Sequence, residues 1–147
     1  MIHIGIDPGV KNGFAVWDTE KQQFNTITTI CFWEVIETVF SYVKYKGHKN
    51  VAVFIEDSAG NKPIFQKLKT SNELCQNKIS QNVGSNKAYC NLMKQYFERH
   101  EIKYIAIVPK KKNYVKNNPE LFKKITGYTK RTSEHSRDAA MLVHKTC

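Results

Sequence analysis

The sequence predicts an α/β domain, and three observations predict it. Ile2, Ile4 and Ile6 alternate with His3, Gly5 and Asp7, the period of a strand with one face buried. Residues 51–57, "VAVFIED", form a continuous apolar run that suits a central buried strand. Val35, Ile36, Val39, Phe40 and Val43 repeat at helical spacing between them. With 147 residues and 41% hydrophobic content, the chain suits one domain, 1–147, with a core of its own.

Taken in order, the first strand stops at Pro8-Gly9, a strong turn signal. Residues 12–18 read as a second strand close enough to form a hairpin, and 24–32 as a third, giving an antiparallel meander. A helix is expected over 34–46, followed by the buried strand at 51–57. Residues 58–82 are polar and lysine-bearing with weak periodicity, with a possible helical piece around 64–68. Ser85 is a suitable N-cap for a helix ending near His100, on which Tyr89, Leu92, Met93, Tyr96 and Phe97 share a face. A strand follows at 104–109, then a basic loop at 110–112. Pro119 suits the start of a short helix that Gly127 ends, and the last helix starts near Ser133.

The net charge of +10 is unevenly placed. Residues 1–57 hold 5 Lys+Arg against 7 Asp+Glu, whereas residues 58–147 hold 18 against 6. Such a lopsided base suits a polyanionic partner, since each cation on a phosphate releases condensed counterions. A solvated lysine-rich surface is the plainer alternative. No apolar run approaches the roughly 20 residues of a membrane span, and no export signal is evident. The four cysteines include no Cys-x-x-Cys pair, which disfavours a zinc knuckle or redox motif and fits a reducing cytoplasm.

Carboxylates stand at three telling places. Asp7 and Glu56 close two strands that would lie side by side, at the edge where open α/β sheets bind ligands. In "TSEHSRDAAMLV", Glu134 and His135 fall about 40° and 60° around a helix from Asp138, so all three share one side. Ala139, Ala140 and Leu142 lie opposite, ready to meet the sheet. Each acid has an ordinary alternative: Asp7, Glu56 or Asp57 as a turn cap, Glu134 as a helix N-terminal charge. Converging carboxylates repel unless a cation sits among them, and hard oxygen donors favour Mg²⁺ or Mn²⁺. Two such ions, about 3.5–4 Å apart, clamp a phosphodiester and activate water.

In their order and spacing, "IGIDPGVKNGFAVW", "VFIEDS" and "SEHSRDAAMLV" resemble the motifs of RuvC-type Holliday junction resolvases, within the ribonuclease H-like superfamily. The short chain is most similar to the phage-type branch. The resemblance spans nearly the whole chain and implies a ribonuclease H-like fold, a five-stranded mixed sheet flanked by helices. It also implies a catalytic and metal-binding set of Asp7, Glu56, His135 and Asp138, two Mg²⁺ ions per site with Mn²⁺ as a substitute, and a homodimer that nicks opposing strands of a four-way DNA junction. The helix from about residue 83 to 100 corresponds to the family's dimerising helix. Only eleven positions separate Gly127 from Asp138, fewer than in the bacterial enzymes, so a helix is missing there. Lysines in that region therefore stay candidates for DNA contact, not matched residues: Lys123, Lys124 and Lys130. Lys87, Lys110 and Lys111 join them, as do Lys62, Phe65, Lys67 and Lys69 in the segment after Glu56, where Phe65 suits either stacking on an unpaired base or anchoring the loop in the core.

Other functions compete with this one. A ribonuclease of the same superfamily would use the same chemistry on RNA or an RNA–DNA hybrid. A non-catalytic nucleic-acid-binding protein would gain nothing from the acids, which weaken phosphate binding. An actin-like nucleotide-binding domain would need a second lobe and glycine-rich phosphate loops that the sequence lacks, so no nucleotide cofactor is expected.

Overall fold

The computed structural model describes residues 1–57, 73–109 and 114–146, and of 73–80 the backbone only. Its five strands are β1 (Ile2–Asp7), β2 (Asn12–Asp18), β3 (Gln23–Ile30), β4 (Val51–Glu56) and β5 (Tyr104–Ile107). The helices are α1 (Phe32–Lys46), α2 (Glu73–Arg99), α3 (Pro119–Thr126) and α4 (Glu134–Val143). The strands form one mixed sheet in the order β3-β2-β1-β4-β5. β1 and β2, and β2 and β3, pair antiparallel, while β4 runs parallel to both β1 and β5. With helices on both faces, this is the expected ribonuclease H-like fold.

The two-residue period of the strands divides the sheet between two cores. Ile2, Ile4 and Ile6 of β1 and Val51, Val53 and Ile55 of β4 face α1 and α2, packing with Val35, Val39, Cys90, Met93 and Phe97. The alternate positions face the other way. There Ala15, Trp17 and Phe54 meet Phe122 of α3 and Ala139, Ala140 and Val143 of α4. Asp7 and Glu56 have the parity of this second face; Asp57, one residue on, has the parity of the first.

Two glycines let α4 lie directly on the sheet. A methyl group at Gly5 would overlap the carbonyl oxygen of Ala139, and one at Gly13 that of His135. Ser133 is the N-cap of α4 as expected: its hydroxyl accepts from the Ser136 N–H at 3.1 Å, and the Ser136 hydroxyl accepts from the Ser133 N–H at 2.9 Å. Asn118 and Pro119 start α3, and Gly127, in the left-handed region at φ 71°, ends it. No helix separates Gly127 from Ser133, in keeping with the short spacing.

Several expected boundaries move, among them the start of α1, at Phe32 and not residue 34, and the end of β4, at Glu56 and not residue 57. The third strand ends at Ile30 because Cys31 becomes the N-cap of α1, its N–H donating to the Glu34 carboxylate at 2.7 Å. The last strand ends at Ile107, not at residue 109. Ser85 caps nothing: α2 starts at Glu73, twelve residues earlier, and carries Gly84 and Ser85 in its interior. Its outward aromatic face also divides. Met93 and Phe97 are fully buried against the sheet, whereas Leu92 is half exposed. The possible helical piece around 64–68 lies outside the described residues.

Candidate metal-binding active site

Asp7 and Glu56 meet because β1 and β4 run parallel in register, with Ile6 opposite Ile55, so both strands end at one edge. The turn after β1 does not use the Asp7 carboxylate. Asn12 closes it instead: its side-chain oxygen accepts from the Gly9 N–H at 3.1 Å, and its amide donates to the Ile30 carbonyl at 3.2 Å. Asp138 comes from the first turns of α4, held close by the two glycines. One carboxylate oxygen from each of Asp7, Glu56 and Asp138 lies within 4.8 Å of the others.

A histidine and a lysine flank this trio. The His135 Nδ1–H donates to Asp7 Oδ2 at 2.7 Å, and Lys116 Nζ sits 2.5 Å from Asp138 Oδ2. His135, half exposed, touches the trio through Asp7 but is not one of the three residues whose ligand atoms converge, and Glu134 is exposed in the first turn of α4. Lys116 was not foreseen. It lies in "YVKNNP", a stretch with no motif and no periodicity, and the sequence carries no local signal for it.

Titration behaviour follows from this crowding. Burial, reinforced by the charges of Asp7 and Asp138, pushes Glu56 up to about 7. Burial also raises Asp138, against the pull of Lys116, and the bond to Asp7 raises His135 toward its charged form. For Lys116, burial works against the charge but is outweighed by Asp138, so its affinity for a proton rises. Lys116 and His135 offset only part of this crowding, and Glu56 is the acid left most ready to take a proton. Three carboxylate oxygens at this separation, with no sulfur donor among them, suit a hard divalent cation. They can hold a metal ion.

Asp57 plays a different part on the opposite face. It pairs with Lys94 of α2 at 2.6 Å, and its N–H donates to the Ile107 carbonyl at 2.7 Å. The Cys90 thiol lies 3.7 Å from the Glu56 carbonyl and 3.6 Å from Asp57 Oδ1. The backbone at the end of β4 is therefore held from both β5 and α2, which fixes the direction of Glu56.

The expected nucleic-acid contacts are dispersed. Lys87 is partly exposed on α2, Lys123 is paired with Glu120 at 3.0 Å, and Lys124 and Lys130 are exposed. Lys62, Phe65, Lys67, Lys69, Lys110 and Lys111 lie outside the described residues. Among the described residues, no helix is long and apolar enough to cross a membrane. No family model matches the chain, and no curated protein or solved structure is significantly similar to it.

Proposed function

We propose that the protein is a divalent-metal-dependent endonuclease that resolves four-way DNA junctions by paired phosphodiester hydrolysis. The observation that carries this reading is the meeting of Asp7, Glu56 and Asp138 from β1, β4 and α4 with their oxygens inside 4.8 Å. Asp7, Glu56 and Asp138, with His135 beside them, would hold two Mg²⁺ ions, and Mn²⁺ would substitute. Those ions, when bound, supply electrophilic stabilisation of the phosphate and a nucleophilic hydroxide at neutral pH. The chain supplies the rest. Glu56, pushed up to about 7, must lose its proton to serve, the His135 Nδ1–H is held on Asp7, and Lys116 pairs with Asp138.

The sequence motifs and the concentration of 18 Lys+Arg after residue 57 support DNA as the substrate. Two symmetric cuts need two sites related by a two-fold axis, so the active form is a homodimer. The test is incubation in Mg²⁺ with a labelled four-way junction, a linear duplex of the same sequence and an RNA–DNA hybrid. Selective cutting of the junction is expected. Preferential cutting of the hybrid would assign a ribonuclease instead, and tight binding of the junction without cutting would leave only a binding protein.

A further inference from the structure

Arg137 is a buried cation, about 5% exposed, one residue before Asp138. All four of its side-chain hydrogen bonds end on neutral oxygens. Nε and Nη2 donate to the Lys116 carbonyl at 2.8 and 2.5 Å, and Nη1 donates to the Thr132 carbonyl and hydroxyl at 3.0 and 3.2 Å. A guanidinium out of water is costly, and carbonyl oxygens offset less of that cost than a carboxylate would. If α4 needed only a filler at this junction, an apolar side chain would do as well. What the planar fork achieves is geometric: two bonds converging on one carbonyl oxygen fix the position of the Lys116 backbone.

That carbonyl belongs to the residue whose Nζ reaches Asp138 Oδ2 at 2.5 Å. Lys116 lies outside any helix or strand, so its reach depends on where its backbone is held. Arg137 and Asp138, consecutive on α4, thus grip the two ends of one lysine. We propose that Arg137 is a positioning residue that seats Lys116 on Asp138, so that the chain supplies the acidic site with its own exchangeable cation. The inference rests on reading Asp7, Glu56 and Asp138 as a metal site. A divalent ion drawn to Asp138 would compete with that ammonium for the carboxylate, so Arg137 sets how strongly the site competes for metal.

The experiment measures Mn²⁺ affinity of the full chain by titration calorimetry for wild type, Lys116→Ala, Arg137→Lys and the double variant. Removing the competing ammonium in Lys116→Ala is expected to tighten Mn²⁺ binding about fivefold, the size of an ion pair open to solvent on one side. Arg137→Lys keeps the buried charge but cannot fork onto the Lys116 carbonyl, and it should tighten binding to a similar degree. The double variant should match either single variant within about twofold, because both changes act on one contact. An unchanged affinity in Arg137→Lys, or full additivity in the double variant, would overturn the proposal. Should Arg137→Lys fail to fold, wild type decides by nuclear magnetic resonance: Mg²⁺ should shift the Lys116 ammonium signal while Arg137 Nε–H stays protected from exchange. An Nε–H that exchanges as freely as in an exposed arginine would overturn it. Wild type that binds Mn²⁺ but cuts no nucleic acid removes the nuclease reading and leaves the affinity series decisive; no Mn²⁺ binding by any variant removes both.

Discussion

Glu56 is the residue at which stability and chemistry oppose each other. Burial and two neighbouring acids push its carboxyl up to about 7, above the value in an unfolded chain. In the metal-free protein the fold therefore binds a proton that the unfolded chain releases. This contribution to stability is complete below about pH 4.5 and is lost as pH rises through about 7. His3 and His144 act in the opposite sense, since burial holds both below the usual imidazole value and acid then favours unfolding. Melting curves of metal-free wild type and Glu56→Gln separate the two. The variant should be more stable at pH 8 by about 1–2 kcal/mol, and the gap should close toward pH 5. Mg²⁺ should raise the melting temperature of wild type at pH 8 and have little effect on Glu56→Gln. An equal gap at both pH values would mean that Glu56 is not the group under strain. Asp7→Asn, Glu56→Gln and Asp138→Asn should each abolish cleavage yet leave junction binding nearly intact, because each removes a metal-facing charge and no basic contact. His135→Ala should slow cleavage severely and Glu134→Ala only mildly, as the bond to Asp7 belongs to His135.

At the scale of elements, the site depends on how closely α4 approaches the hairpin. Gly13→Ala places a methyl group against the His135 carbonyl, a backbone atom that cannot swing aside. The helix must lift, at a cost of about 3 kcal/mol or more. Cleavage per folded molecule should fall with it, since His135 and Asp138 move away from Asp7; a stable, fully active Gly13→Ala would show that the close approach is dispensable. Much of this arrangement was legible in the sequence. Alternation in Ile2–Asp7, the apolar run ending at Glu56 and the Ser133 cap each reflect local rules, and the order of elements placed two acids on one sheet edge. The first twelve residues of α2 were not legible. Residues 73–84 hold two Asn, two Gln, a Ser and a Gly, and Leu74, Cys75, Ile79 and Val83 give them only a thin apolar stripe, a weak signal for a helix. Lys116 was illegible for another reason: its place is set by a guanidinium 21 residues further on. The role of Asn12 in the first turn was equally hidden, because an Asp-Pro-Gly turn offers its own acid as the obvious cap.

For the whole molecule, the two faces of α2 make separable predictions about assembly. Phe97 is fully buried in the core, so a charged residue there should prevent folding and says nothing about a partner. Leu92 is half exposed on the same helix. Leu92→Lys should leave the melting temperature within a few degrees of wild type and yield a folded monomer by sedimentation. An unaltered dimer would move the interface off this helix. Dimer, acids and metal would act together in single-turnover cleavage of a fixed four-way junction labelled on each strand in turn. In Mg²⁺ two nicks are expected at symmetry-related positions on opposing strands, both lost on chelation and both absent with Asp7→Asn. Nicks that persist without divalent cation, or that survive Asp7→Asn, would contradict the proposed function.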